Sequence, residues 1–241
     1  ISLGNEMSHA RGWLPRFKGQ IYCNRSKKRL DLEGLETWFS ENSIRADGGE
    51  RLGALSVGPL RYIAMKAGLG IVRKNNFFYT EAGSYNSLVG YVIDKECELI
   101  HECNILPCSE ECDLCRRACK TRALEAPYTM NPFKCISFLT TFGKCNVPEG
   151  LSDEMYGEWV CGCDSCQDAC PYNMQHDWSK GIPLTELEDI ASSILPENYD
   201  ELTDDFLIRQ VIPKTANHLH DKDILSLRKN AARSAANSKF S

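Results

Sequence analysis

Between Leu30 and Ile44 the apolar residues Leu32, Leu35, Trp38 and Phe39 recur at helical spacing, with charged and polar residues between them. That pattern marks an amphipathic helix packed along one face. Ala46 to Gly53 is polar and glycine-bearing and reads as a loop. Pro59 opens a second helix at its first turn, where its missing N–H is no loss. Leu60, Ile63, Ala64 and Ala67 form the inward stripe of that helix, and Gly68 closes it just past the C-cap. The stretch from Gly70 to Asn76 is a loop. Phe77–Thr80 and Leu88–Asp94, either side of Gly83, are aromatic and β-branched runs expected to be strands.

From residue 101 to 180 this periodicity gives way to short turns around cysteines, with one helix expected over Cys135–Phe142. Helical patterning returns from 181 to 241. Thr185–Ile194 is one helix. A second is capped by Thr203 and ends at Ile212, before Pro213. A third is capped by Asp221 and carries Ile224, Leu225, Leu227, Ala231 and Ala235. The fold class is therefore α+β in three parts: an α/β part (1–100), a cysteine-rich part (101–180) and a helical part (181–241). Residues 1–29 are irregular; their basic end, Arg25, Lys27, Lys28 and Arg29, reads as a solvated face.

The chain has 241 residues, 42% of them apolar and 25% charged, and a formal net charge of −5. This is an ordinary soluble composition, and its acidic balance does not favour nucleic acid globally. No stretch approaches 18 apolar residues, and no basic segment followed by an apolar one opens the chain, so neither a membrane span nor a secretory leader is expected. The compartment expected is reducing and cytoplasmic.

Chemistry enters with the 13 cysteines. Cys108, Cys112, Cys115 and Cys119 read C-x3-C-x2-C-x3-C. Cys135 stands alone. Cys163, Cys166 and Cys170 read C-x2-C-x3-C and are followed by Pro171. Ferredoxin-type runs read C-x2-C-x2-C-x3-C-P, and the last cysteine of each run serves the other cluster. Eight thiolates in two such groups suit two [4Fe–4S] clusters. Disulfides belong to oxidising compartments, and a tetrahedral zinc needs fewer ligands than are offered. Cys23, Cys97, Cys103, Cys145 and Cys161 are left over, and most of them read as small buried hydrophobes. With two clusters bound, the net charge would be roughly −9, since each contributes −2 with its thiolates.

Several segments together resemble one family. Gly58–Asn75 (GPLRYIAMKAGLGIVRKN) is similar to a segment ending AGLGW-x-GKN. Gly83–Asp94 (GSYNSLVGYVID) resembles GS…LG…TD. Pro127–Thr140 (PYTMNPFKCISFLT) resembles PY-x-LD…RCISYLT. Gly162–Asn173 (GCDSCQDACPYN) resembles YGCDxCQxxCPWN, and Leu227–Asn237 (LRKNAARSAAN) resembles LLRNAA…ALGN. The family is epoxyqueuosine reductase, and its motifs run in order from about residue 58 to 237. The resemblance implies a partial nitroreductase-like domain associated with cobalamin, a ferredoxin-like domain with two [4Fe–4S] clusters and a helical C-terminal region. It implies one cluster on Cys108, Cys112, Cys115 and Cys170, and the other on Cys119, Cys135, Cys163 and Cys166. Arg73, Lys74, Asn75, Ser84 and Tyr85 would meet cobalamin. Electrons from a low-potential donor would pass through the clusters to cobalt, for reduction of epoxyqueuosine in tRNA.

The chain also departs from that pattern. The part before the AGLG segment is about half the family's length. The family's acidic residue falls on Ala54, which leaves Asp47 or Tyr79 as the expected proton donor. Lys120, not proline, follows Cys119. Cys108 sits one residue further from Cys112 than the family spacing, so Cys103 competes as a ligand. An iron–sulfur electron carrier or corrinoid-handling protein that does not act on tRNA is the alternative reading. Two further readings concern polar side chains. Arg228, Lys229 and Arg233 are either phosphate contacts or a solvated helix face. Asp164 and Gln167 either tune a cluster or cap a turn.

Overall fold

The computed structural model describes residues 32–48, 59–81, 83–85, 88, 90–96, 102–144, 146–175, 190, 193–214 and 219–239. Helix α1 (Leu32–Glu41) buries Phe39 but leaves Trp38 about half exposed. Phe39 packs edge-on against Tyr91, with ring centroids 5.3 Å apart. Tyr91 lies on β4 (Tyr91–Ile93), which pairs antiparallel with β1 (Ala46–Gly48). The loop expected over Ala46–Gly53 is thus a strand at its start. The Arg45 backbone N–H and guanidinium bind the Asp94 carboxylate at 2.9 and 2.8 Å, fixing the register of a pair too short and polar to show alternation.

Helix α2 (Leu60–Lys66) starts after Pro59 and ends with Gly68 in the left-handed region at φ +70°. Its inward face is Ala64 and Ala67, whereas Ile63 points outward beside Tyr62 and Met65. Small side chains let this short helix lie close to β2 (Ile71–Val72). β2 pairs with β3 (Phe78–Tyr79), Ile71 opposite Tyr79. Gly70 is required at that crossing, because a Cβ there would sit 2.0 Å from the Tyr79 carbonyl oxygen. The expected strand Phe77–Thr80 is present in its centre, and it pairs with β2 rather than with the later strand.

The cysteine-rich part is built from α3 (Leu114–Ala118), α4 (Ile136–Thr141), α5 (Ser165–Asp168) and α6 (Pro171–Met174). Ile136, Leu139, Tyr156 and Trp159 form a small core beside α4. A larger core joins Val160 and Cys161 to the C-terminal part, through Ile194, Tyr199, Leu207, Val211, Leu227 and Ala231. Thr203 caps α7 (Asp204–Phe206) by accepting the Phe206 N–H at 3.2 Å. Helix α8 (Ile224–Ser238) is preceded by a 3-10 turn, Asp221–Asp223. His220, not Asp221, caps that turn, because Asp223 reaches back to accept the His220 N–H at 2.9 Å. Leu225 lies outside the buried stripe of α8 and is largely exposed. The helix expected over Thr185–Ile194 falls mostly outside the described residues, as do residues 1–29.

Candidate metal centre

Two similar turns present the cysteines. Cys112 and Cys115 flank Asp113 at the start of α3, and Cys119 caps its end. Cys163 and Cys166 flank Asp164 at the start of α5. Cys170 caps α6, with Pro171 in the first turn where a proline fits. Cys135 ends the 3-10 turn Pro132–Lys134 and caps α4. Helices α3 and α5 pack on each other, so the two runs face one another.

Mutual electrostatics sort the thiols into two groups. Cys115 feels Cys108, Cys112 and Cys170. Cys166 feels Cys163, Cys135 and Cys119. The last cysteine of each run therefore lies with the other run's group. Cys103 neighbours Tyr172 instead. Among the described residues no three potential ligands close round a single metal ion; a tetrahedral zinc, with Zn–S of about 2.3 Å, would hold its sulfurs nearly in contact.

Burial pushes the Cys163 thiol up to about 12, and the charges of Asp164 and Cys135 add to it. Burial likewise raises Cys115, Cys135 and Cys166, with neighbouring thiols contributing. Local donors oppose this by favouring thiolate. The Ala123 N–H donates to Cys119 Sγ at 3.2 Å. The Ser137 and Phe138 N–H groups of α4 bond Cys135, and the Ser165 hydroxyl lies 3.5 Å from Cys163 Sγ.

A cavity of about 190 Å³ opens beside the first group, lined by Cys108, Cys112, Cys115 and Cys170 together with Arg73 and Lys74. Both cations are nine-tenths buried. Lys74 Nζ donates to the carbonyls of Ser109, Glu110 and Cys112 at 2.7, 2.6 and 3.1 Å. Arg73 donates to the Leu106 carbonyl at 2.6 Å and approaches Cys108 Sγ at 3.8 Å. Its guanidinium sits 5.3 and 4.4 Å from the ring centroids of Tyr79 and Tyr172. The ion pairs among the described residues include neither cation. Burying unpaired charge is costly, and four thiolates around a [4Fe–4S]2+ core would supply a net −2 on that side. The donor set, the cavity and the two cations thus fit an iron–sulfur cluster.

The other residues singled out from the sequence lie around the same wall. Asn75 Nδ2 donates to the Tyr79 hydroxyl at 2.7 Å and the Cys166 carbonyl at 3.2 Å. Tyr79 is fully buried; burial first, then its hydrogen bond with Cys170, raises its pKa well above the ordinary tyrosine value. Ser84 Oγ lies 2.8 Å from Gln167 Oε1, and Tyr85 hydrogen-bonds Asp168. Arg73, Lys74, Asn75, Ser84 and Tyr85 thus direct side-chain polar groups at the cysteine-bearing segments. Asp47 stands apart, exposed on β1 with Val92 as its register partner. Asp164 Oδ1 accepts from Gln167 Nε2 at 2.9 Å and makes no cap bond to the backbone of α5. Arg228 is held by the Tyr199 and Leu202 carbonyls and by Asp204. Arg233 bonds Asp153 at 2.6 Å over the Tyr156 ring. Of that basic set only Lys229 is exposed.

Sequence reasoning missed Asn173. It accepts the Ser84 N–H at 3.0 Å and donates to Ser84 Oγ at 2.8 Å and the Gln167 carbonyl at 2.9 Å. It also missed the pairing of Asn230 Nδ2 with the Thr140 carbonyl at 3.0 Å. The signal was present. Asn173 ends one of the quoted motifs and Asn230 lies within another, and each meets a residue of a further motif.

Residues 108–173 match a family model described as a 4Fe-4S double cluster binding domain. The chain therefore carries a two-cluster iron–sulfur domain. It is 36% identical over 132 residues to the epoxyqueuosine reductase of Prochlorococcus marinus, covering 54% of this chain and 40% of that protein. It is 30% identical over 157 residues to that of Cellulophaga algicola, covering 64% and 49%. Epoxyqueuosine reductase from Streptococcus thermophilus shares the fold with a TM-score of 0.69 at 24% identity, over 93% of this chain and 59% of that one. A crystal structure of epoxyqueuosine reductase with an epoxyqueuosine-modified tRNA stem loop shares it with a TM-score of 0.63 at 23% identity, covering 93% and 63%. The chain is thus similar to epoxyqueuosine reductases in sequence over its iron–sulfur part and in fold, and it spans about half the length of the curated relatives it matches.

Proposed function

We propose that this chain is the electron-delivering portion of an epoxyqueuosine reductase-type oxidoreductase. The observation that carries the reading is the sorting of eight cysteines into two interleaved groups, one of them beside a cavity with two buried cations. Cys108, Cys112, Cys115 and Cys170 hold one [4Fe–4S] cluster; Cys119, Cys135, Cys163 and Cys166 hold the other. A low-potential donor supplies electrons one at a time. Reduction of an epoxide to an alkene consumes two electrons and two protons and releases water, so a one-electron relay must turn over twice. The acceptor is cobalamin, which when bound supplies low-valent cobalt chemistry, and the substrate is epoxyqueuosine in tRNA. Arg73, Lys74, Asn75, Ser84 and Tyr85 spend their side-chain polar groups on the cluster segments, so contact with cobalamin falls to their backbone and apolar surfaces. Asp47, being exposed, is the candidate proton donor to substrate; Tyr79, bound to Cys170 and Asn75, is the second.

The test is anaerobic reconstitution with iron and sulfide, then titration with cob(II)alamin and turnover of epoxyqueuosine-containing tRNA with a strong reductant. The expected content is about eight iron and eight sulfide per chain, as two four-iron clusters require. Four or fewer of each, or a predominance of zinc, sinks the two-cluster assignment. Intact clusters with no cobalamin response and no queuosine leave an electron carrier as the function.

A further inference from the structure

We propose that Arg73, with Lys74 behind it, sets the reduction potential of the first cluster above that of the second, so that the electron rests on the cluster held by Cys108, Cys112, Cys115 and Cys170. The inference rests on the two-cluster reading above. The potential of an iron–sulfur cluster depends on net charge, hydrogen bonds to its sulfurs and solvent exposure. The charge is unequal here, while hydrogen bonds reach sulfurs on both sides, those of Ala123, Ser137, Phe138 and Ser165 falling on the second. On the first side stand two cations, 9% and 8% exposed, lining the same cavity as the four cysteines. Arg73 brings one guanidinium nitrogen to 3.8 Å from Cys108 Sγ. Its Nε is buried with no hydrogen-bond partner, which leaves one N–H for a sulfur in that cavity. The Tyr79 hydroxyl adds a hydrogen bond to Cys170.

The second side has no such pair among the described residues. Lys120, next to Cys119, is exposed, and solvent screens it. Lys134, next to Cys135, is neutralised by Glu125 at 2.9 Å. Asp164, between Cys163 and Cys166, is 5% exposed and places a carboxylate there instead. Reduction takes a four-thiolate cluster from −2 to −3. Buried positive charge favours that step, and a nearby carboxylate opposes it. Arg73 is also a departure from the family segment quoted above, which carries glycine at that position. The guanidinium is fixed between the Tyr79 and Tyr172 rings and by the Leu106 carbonyl, so its charge is held in place.

The experiment is an electron paramagnetic resonance-monitored redox titration of the reconstituted full chain with dithionite, comparing wild type, Arg73→Met and Arg73→Lys. Iron is counted in each. In wild type, two separate reduction steps are expected. Arg73→Met with eight iron should shift the higher step by at least tenfold in its reduction equilibrium, or 59 mV for one electron, to lower potential, and leave the other step in place. Arg73→Lys, which keeps the charge, should shift it less. If Arg73→Met loses iron, the pair Arg73→Gln and Arg73→Lys decides, with lysine expected tenfold above glutamine. An unchanged higher step in Arg73→Met, equal potentials in the glutamine and lysine variants, or equal movement of both steps overturns the proposal. A wild type that never assembles two clusters refutes the two-cluster reading instead.

Discussion

Replacing Asn173 by alanine removes one side chain and three hydrogen bonds. Asn173 is 1% exposed and spans from Ser84, in the α/β part, to the Gln167 carbonyl, between Cys166 and Cys170. Alanine strands the Ser84 N–H in a dry interface, while the Gln167 carbonyl keeps the Cys170 N–H at 3.1 Å. A stranded buried donor costs about 1–3 kcal/mol and each of the other two lost hydrogen bonds about 0.5–1.5 kcal/mol, and the lost side chain adds a small cavity. The sum is about 3–5 kcal/mol. For a chain of this size 1 kcal/mol moves the midpoint by roughly 2–4 °C, so Asn173→Ala should melt about 6–20 °C lower. The assay is thermal unfolding of the iron-loaded protein by circular dichroism at one scan rate, since metal loss makes unfolding irreversible. Asn173→Asp should fare no better: it keeps the Ser84 N–H but turns an acceptor toward the Gln167 carbonyl. A midpoint for Asn173→Ala within about 2 °C of wild type would show that this bridge does not hold the two parts together.

Gly70→Ala should cost about 3 kcal/mol or more, beyond ordinary overpacking, because the added Cβ meets a backbone carbonyl 2.0 Å away; a melting curve superimposable on wild type would contradict it. Cys166→Ala should lower iron from about eight to about four per chain, measured after anaerobic reconstitution, and unchanged iron removes it from the ligand set. The apo protein should lose stability as pH rises. Burial lifts Cys163 from an ordinary thiol value to about 12, so its contribution is complete below about 9 and lost on approaching 12. Melting midpoints of apo protein across that alkaline window check the sign, and a midpoint that rises contradicts it. Iron uptake needs thiolate and so should run the other way, improving with pH above neutrality; uptake that is flat or falls with pH refutes it.

Much of the site was legible because cysteine spacing is a chemical constraint written directly in sequence. The helices around it were legible where a cap or breaker was strong, as at Pro59, Gly68 and Thr203. The β1–β4 pair was not, since three-residue strands carry too few positions for alternation, and its register is set by Arg45 and Asp94, 49 residues apart. The outward turn of Ile63 was hidden for a related reason: periodicity marks a stripe, but which edge of the stripe faces inward depends on what the helix packs against. The quoted motifs were visible as strings, but not as mates. Only the fold shows that Ser84 meets Asn173, Asn75 meets the Cys166 carbonyl and Asn230 meets the Thr140 carbonyl.

The exchange of Cys119 and Cys170 between the two groups has a consequence for birth on the ribosome. Cys108, Cys112 and Cys115 emerge early, but their fourth companion is made 55 residues after Cys115, at position 170. At about 5–20 residues per second that interval is roughly 3–11 seconds. Cys119 and Cys135 wait in the same way for Cys163 and Cys166. With the ligand sets proposed above, neither inorganic core could be closed on a half-made chain, and a product truncated before residue 163 would be left with open thiols and no complete group. Cofactor insertion would then act as an inspection of translation, passing only chains that carry the second run.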